Sequence, residues 1–312
     1  MQFTTKDLKA KITMNQPDFI LIGAAKSGTS SFYNYVKQHP SIYVSPVGKT
    51  NFFVSSFVDG RPRNEDLDFT PEQIEKLNFP ITTEESYQQL FQDIPEDKTV
   101  LGEISPMYLN SFVAAQKLKT SNPNVKLIAM LRNPADRAYS GYQMQLRKER
   151  EERDFASNLN PEEVYIRGGF YYDQLKRFFD VFDRSQIKIF LFEDFKQNPQ
   201  QIIKEMFDFI GVDNSFVPDL ETKFNQGGVP KNKGLYSFIF NSPLTKKIVK
   251  SSIIPMLPKE LRTKLEFNLR SNLLSKPEPM TLQTRKTLQE IYQEDILKLE
   301  GLIERDLQQW LS

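Results

Sequence analysis

Two glycines five positions apart, Gly23 and Gly28, bracket the turn in FILIGAAKSGTSSFYNYV, residues 19–36. Their spacing is that of the phosphate loop of nucleotide triphosphatases, G-x-x-x-x-G-K-[ST]. The lysine is displaced, because Thr29 follows Gly28 and Lys26 stands two residues before it. A turn between a strand and a helix presents free backbone N–H groups and the positive helix end, and both attract an anion. Thr29, Ser30 and Ser31 add hydroxyl donors. The chemistry this allows is the grip of a single phosphate, with Lys26 on the crown of the loop. There it can reach the bridging oxygen of a group leaving that phosphate. In a triphosphatase the lysine serves the β- and γ-phosphates instead, and the Ser or Thr holds Mg²⁺. For this segment alone, a strand-to-helix turn with no ligand is the alternative.

A second constellation lies further along the chain, in LRNPADRAYSGY, residues 131–142. Arg132 stands where an apolar run ends, and Ser140 follows eight residues later in a stretch that reads as helix. Strand ends are where doubly wound sheets bind ligands. An arginine fork offers two parallel charge-assisted bonds, so Arg132 and Ser140 could hold a second, separate phosphate. Taken alone, Arg132 reads as a capping or salt-bridging arginine.

Both constellations need rigid elements behind them. Residues 19–22 are an apolar, β-prone run, and residues 30–38 read as a helix that stops before Pro40. SIYVSP (41–46) reads as a short strand, TVLGEISPMYL (99–109) as a strand that breaks at Pro106, and NVKLIAMLRNP (124–134) as a buried strand. A long helix is expected from Pro134 to about Arg153, and the mixed charges of QLRKEREERDF (145–155) read as its solvated face. A further strand is expected over 185–195 and helices over 86–94, 200–211 and 281–311, with Gly211 as a C-cap. Residues 57–83 are polar and rich in turn formers, which reads as a surface excursion or lid. Strands alternating with helices predict an α/β fold, with a P-loop-type central parallel sheet flanked by helices, in a single domain over 1–312.

Composition narrows the function classes. The chain has 312 residues, with 39% hydrophobic and 12% aromatic, enough for a buried core. Forty-one basic residues against 40 acidic ones give no general affinity for nucleic acid or a membrane surface. There is no cysteine and one histidine, His39, which excludes thiolate zinc sites, cysteine nucleophiles and histidine-rich metal centres. His39 reads as a helix-terminal residue remote from chemistry. The first residues lack the apolar core of a signal peptide, no run is long enough to span a membrane, and no N-x-[ST] sequon occurs. The expectation is a cytoplasmic protein with a small-molecule or glycan ligand.

Together the two motifs resemble those of the sulfotransferases that use 3′-phosphoadenosine 5′-phosphosulfate as donor. GAAKSGTSSF is similar to their 5′-phosphosulfate loop and RNPADRAYSGY to their 3′-phosphate segment. Weaker similarity extends to SPVGKTNFF (45–53), GEISPMYL (102–109), RGGFYYDQLKRFF (167–179), VPKNKGLY (229–236) and LEGLIERDLQQWL, and so covers nearly the whole chain. The branch it resembles is the carbohydrate type, which includes the heparan sulfate enzymes and many bacterial ones. The resemblance implies that Lys26 contacts the leaving phosphate and the sulfuryl group in flight. It implies that Gly28, Thr29 and Ser30, with Ser27, cradle the 5′-phosphate, and that Arg132 and Ser140 hold the 3′-phosphate. Lys231, Lys233 and Gly234 resemble a late loop that closes over the cofactor. It implies no metal, because lysine can neutralise the charge that develops on the leaving phosphate. The product is adenosine 3′,5′-bisphosphate, and the acceptor is a hydroxyl or amine of a carbohydrate or small natural product.

The pattern departs at the general base. The carbohydrate branch commonly carries a glutamate in a loop reading Lys-Glu-x-x-Phe-Phe. Aligned without a gap, that glutamate falls on Lys49 and its lysine on Gly48; shifted by one, they fall on Thr50 and Lys49. Neither alignment restores a carboxylate. Glu103 is the other candidate, as a proton acceptor or as a partner that orients a lysine or arginine. Lys49 could accept a proton only if burial or nearby positive charge depressed its pKa strongly, or it could bind an anionic acceptor. Two other readings remain open on the sequence: a non-catalytic bisphosphate-binding protein on this scaffold, and a P-loop kinase, which would need Gly-Lys-[ST] and a Mg²⁺ carboxylate.

Overall fold

In the computed structural model the described residues are 15–148, 151–220, 228–240 and 259–312, with 242 and 245. The N-terminal stretch read for a signal peptide lies largely outside them. Five parallel strands form the centre: β1 (Phe19–Gly23), β2 (Ile42–Val44), β5 (Val100–Ile104), β6 (Lys126–Leu131) and β7 (Ile187–Leu191), in the order β2-β5-β1-β6-β7. Two short pairs lie outside this sheet: β3 (Phe57–Val58) with β4 (Arg61–Pro62), and β8 (Val229–Pro230) with β9 (Leu274–Ser275). The P-loop-type α/β reading holds.

Every residue of β1 is buried, as is all of β6 after Lys126. A parallel strand covered on both faces must be apolar on both, which is why these segments read as unbroken apolar runs. Alternate side chains serve two cores. Phe19, Leu21, Ile128 and Met130 pack with Phe32 and Val36 of α1 (Thr29–Val36) and with apolar residues of the later helix 199–210. Ile20, Ile22, Leu127 and Leu131 face the larger core.

The helices that complete the chain are α2 (Pro71–Glu75), α3 (Glu84–Gln89), α4 (Ala114–Ser121), α5 (Pro134–Arg147), α6 (Val164–Arg167), α7 (Tyr171–Phe179), α8 (Phe192–Gln197) and α9 (Pro199–Ile210). After them come α10 (Lys233–Phe240), α11 (Lys259–Leu273) and α12 (Leu282–Ile303). In the larger core, α4, α5, α7 and α12 contribute Leu118, Ala138, Phe178 and Tyr292. No helix among the described residues is long and apolar enough to cross a membrane.

Several expectations change. The helices expected over 86–94 and 281–311 are shorter, Glu84–Gln89 and Leu282–Ile303. The helix from Pro134 ends at Arg147, not Arg153. Beyond it, Glu151 accepts from the backbone N–H groups of Glu152 and Arg153 and pairs with the Arg153 guanidinium at 2.8 Å. Such local bonds compete with the helix, so the charge run is not a continuous helical face. The strand expected over 185–195 stops at Leu191 and turns into α8. Its partner β6 ends at Leu131, the last paired residue, leaving nothing for Phe192 to pair with. The 57–83 segment is largely exposed, with Leu67, Ile74 and Ile81 buried in the larger core. By contrast, α9 ends at Gly211 with φ 86°, as its sequence indicates.

Candidate functional site

The loops after β1 and β6 leave from adjacent strands at the carboxyl edge of the sheet. That is where an open α/β sheet forms its binding crevice. The first loop turns through Lys26, φ 75°, and Gly28, φ 86°. A left-handed lysine costs about 1–2 kcal/mol, so the surroundings must hold it. They do so through its carbonyl, which accepts from Arg132 Nη1 at 3.3 Å. Arg137 supports the preceding carbonyl, donating to Ala25 at 3.3 Å and to the Tyr165 carbonyl at 2.8 Å. Gly28 is required for two reasons. Its φ disfavours any side chain, and a Cβ would come 2.7 Å from the Phe192 ring. The same ring lies beneath the Arg132 guanidinium, 5.0 Å from it. Phe192 thus seats both constellations.

The residues are electrostatically one site. Burial lowers the Lys26 pKa to about 7, with further lowering from the charges of Arg147, Lys49, Arg132 and Arg137. All four are cations, so the site is built to meet an anion. Burial also lowers the Arg132 pKa, although it remains a cation. Asn133 caps α5, its side chain accepting from the Ala135 N–H at 3.0 Å, while its own N–H donates to Glu193 at 3.0 Å. The Tyr171 hydroxyl donates to the Arg132 carbonyl at 2.9 Å. Asp295 of α12 in turn caps α7, accepting from the N–H groups of Tyr171 and Tyr172 at 2.8 and 3.1 Å.

Lys49 enters from the other wall. It lines a cleft of about 230 Å³ with Thr29, Ser30, Tyr33, Asn34 and Gly48. Its side chain reaches solvent, yet the walls crowd the ammonium and lower its pKa. A somewhat larger hollow, about 280 Å³ beside Lys188, Gln201 and Arg305, shares none of these residues.

Glu103 is placed differently from the expectation. It is fully buried, with no exposure. Its carboxylate accepts from four hydroxyls, those of Thr50, Ser105, Tyr108 and Tyr87. Among the described residues no lysine or arginine pairs with it. His39 is buried at the far end of α1, with Nε2 3.0 Å from the Asp213 carbonyl.

Lys231, Lys233 and Gly234 lie exposed at the start of α10. Their loop is tied to α5 by Arg147, whose guanidinium donates to the Gly228 carbonyl. Ser140 is half-buried on the same helix as Arg147. Arg137, Arg147 and Phe192 were missed by the sequence reading. A signal for the arginines exists: Arg137, Ser140, Met144 and Arg147 follow at steps of three or four, which puts them on one helical face. Phe192 carries no such mark.

Among known proteins, the model of the sulfotransferase domain family matches residues 16–299. The bifunctional heparan sulfate N-deacetylase/N-sulfotransferase 4 of Mus musculus is 26% identical over 213 residues, 63% of this chain and 22% of its own length. The corresponding enzyme 1 of Xenopus tropicalis is 24% identical over 260 residues, 78% of this chain and 27% of its own length. The chain therefore spans about a quarter of the length of these curated relatives. The crystal structure of a sulfotransferase from Alicyclobacillus acidocaldarius superposes with a TM-score of 0.68 at 29% identity, covering 96% of this chain and 100% of that one.

Proposed function

We propose that this chain, which belongs to the sulfotransferase domain family, takes its sulfuryl group from 3′-phosphoadenosine 5′-phosphosulfate and passes it to a hydroxyl or amine of a carbohydrate or small natural product. The observation that carries this reading is the bond from Arg132 to the Lys26 carbonyl, which locks two anion-seeking loops into one cationic site. The donor fits the residues present: a tight glycine cradle for one phosphate, a separate arginine for another, and a displaced, buried lysine in the same loop as the cradle. When bound, the donor supplies the sulfur whose bond to the acceptor forms as its bond to the bridging oxygen breaks.

In this reading the N–H groups of Gly28, Thr29 and Ser30 hold the 5′-phosphate at the start of α1, with the Ser27 turn behind them. Lys26, protonated once the anion is in place, neutralises the charge that grows on the bridging oxygen. Arg132 and Ser140 hold the 3′-phosphate, and the loop of Lys231, Lys233 and Gly234 covers it. On the acceptor side Lys49, in the neutral amine form that its lowered pKa makes more accessible than in an ordinary lysine, takes the proton released by the attacking group. Glu103 moves no proton.

The test is thermal unfolding with adenosine 3′,5′-bisphosphate against ATP plus Mg²⁺. A ligand at a hundredfold excess over its dissociation constant stabilises the fold by about 2.7 kcal/mol. The bisphosphate alone is expected to raise the midpoint. Arg132→Ala removes charge-assisted bonds worth about 1.5–3 kcal/mol, so its affinity falls by roughly 10- to 150-fold and the shift falls to about half or less. A shift with ATP and Mg²⁺ only would overturn the assignment.

A further inference from the structure

A carboxylate sealed in the protein interior, bonded to hydroxyls rather than to a cation, needs a reason to be there. Glu103 lies on β5 with Thr50, Ser105, Tyr108 and Tyr87 around it, and Thr50 adjoins Lys49. A carboxylate only accepts, so each of these hydroxyls must spend its proton on Glu103 and keep its lone pairs for other donors. Three of them face consecutive backbone N–H groups of the Lys49 loop. Asn51 N donates to Ser105 Oγ at 3.1 Å, Phe52 N to Thr50 Oγ1 at 3.4 Å and Phe53 N to Tyr108 Oη at 3.3 Å. All three of those hydroxyls converge on one oxygen, Glu103 Oε1. Tyr87 alone donates to Oε2, at 2.6 Å, and takes no backbone N–H in return. The loop needs such a hold, because Asn51 is left-handed with φ 53°. Burial and the charge of Glu103 push the phenols of Tyr87 and Tyr108 well above their ordinary range, so both stay protonated as donors.

We propose that Glu103 is a positioning residue for Lys49: it orients the hydroxyls of Thr50, Ser105 and Tyr108 so that they accept from residues 51–53 and hold the loop against the cleft. The loop holding follows from these contacts alone, and its catalytic meaning rests on the role given to Lys49 above. A carboxamide at this position would turn an N–H₂ toward one set of hydroxyls and reverse the direction of their bonds.

The test compares Glu103→Gln with Tyr87→Phe, which removes a bond to the same carboxylate but frees no loop N–H. Hydrogen exchange read by NMR is expected to speed up tenfold or more at the amides of 51–53 in Glu103→Gln, with β1 and β6 unchanged. Acylation of Lys49 across pH, read by mass spectrometry, is expected to shift its midpoint upward toward that of an ordinary lysine. Tyr87→Phe is expected to do neither. Should Glu103→Gln fail to fold, Ser105→Ala and Tyr108→Phe each remove one of the three acceptors and are expected to raise exchange at residue 51 and residue 53 respectively. Exchange rising equally in β1 and β6, an unmoved Lys49 profile, or the same response from Tyr87→Phe would overturn the proposal. Bisphosphate binding is read on the unsubstituted protein, where a missing thermal shift would sink the donor reading and leave the loop holding standing.

Discussion

Lys26 combines a backbone that glycine would prefer with a side chain that burial and four neighbouring cations bring to a pKa of about 7. The free protein therefore holds this group about half neutral near pH 7, and a bound phosphate restores the proton. Above pH 7 binding must take up a proton, and the affinity for adenosine 3′,5′-bisphosphate falls as pH rises, by up to about tenfold per unit. Below pH 7 this contribution flattens. Titration calorimetry at pH 8 in buffers of different ionisation enthalpy reads the uptake, and Lys26→Met is expected to abolish it. An affinity that ignores pH between 7 and 9 would contradict the placement of Lys26 against the phosphate. At this scale the sequence was only partly legible. The displaced lysine was visible as a departure from a pattern, whereas the closure of Glu103 behind four hydroxyls depends on Thr50, Tyr87 and Tyr108, which no spacing ties to it.

Glycines make the contrast at the level of elements. Gly28 and Gly211 share φ 86°, but a Cβ on Gly28 strikes the Phe192 ring at 2.7 Å, while on Gly211 its nearest neighbour is Lys126 Nζ at 3.7 Å. Gly211→Ala is expected to cost about 1–2 kcal/mol of stability through the left-handed penalty and to leave bisphosphate binding intact. Gly28→Ala pays the same penalty and also displaces Phe192 from beneath Arg132, so binding is expected to be lost in a protein that still folds. Circular dichroism melts beside bisphosphate titrations separate the two. The strand-and-helix plan was legible because buried parallel strands are apolar without interruption. The ends of α5 and β7 were not. One is set by Glu151 bonding to its own neighbours, the other by where β6 stops.

At the scale of the whole molecule, the larger core reaches the site through α7. Trp310 is buried, with 1% exposed, and packs on Tyr171 at 6.1 Å between ring centroids. The Tyr171 hydroxyl supports Arg132. Trp310→Ala is expected to cost about 3–5 kcal/mol by opening a cavity, and to weaken bisphosphate binding as well. Its indole N–H makes no hydrogen bond with the described residues, so Trp310→Phe is expected to be much milder on both counts. Denaturant melts of the two variants check this. The helical spacing of 281–311 holds only to Ile303, and Trp310 reaches the larger core from a separate turn beyond it; that this end leans on the arginine of a loop far away was not visible, because Asp295 and Tyr171 look like ordinary members of two helices.

The crowding of Lys26 by Arg147, Lys49, Arg132 and Arg137 has a practical corollary. Without a counter-ion these charges repel one another and work against the folded state, so any small oxyanion that enters the cradle acts as a folding partner. Buffer identity then becomes a variable of the experiment. Sulfate or phosphate at tens of millimolar would raise the apparent melting temperature unaided and shrink the further gain from a nucleotide, whereas a zwitterionic buffer would leave the full gain to be measured.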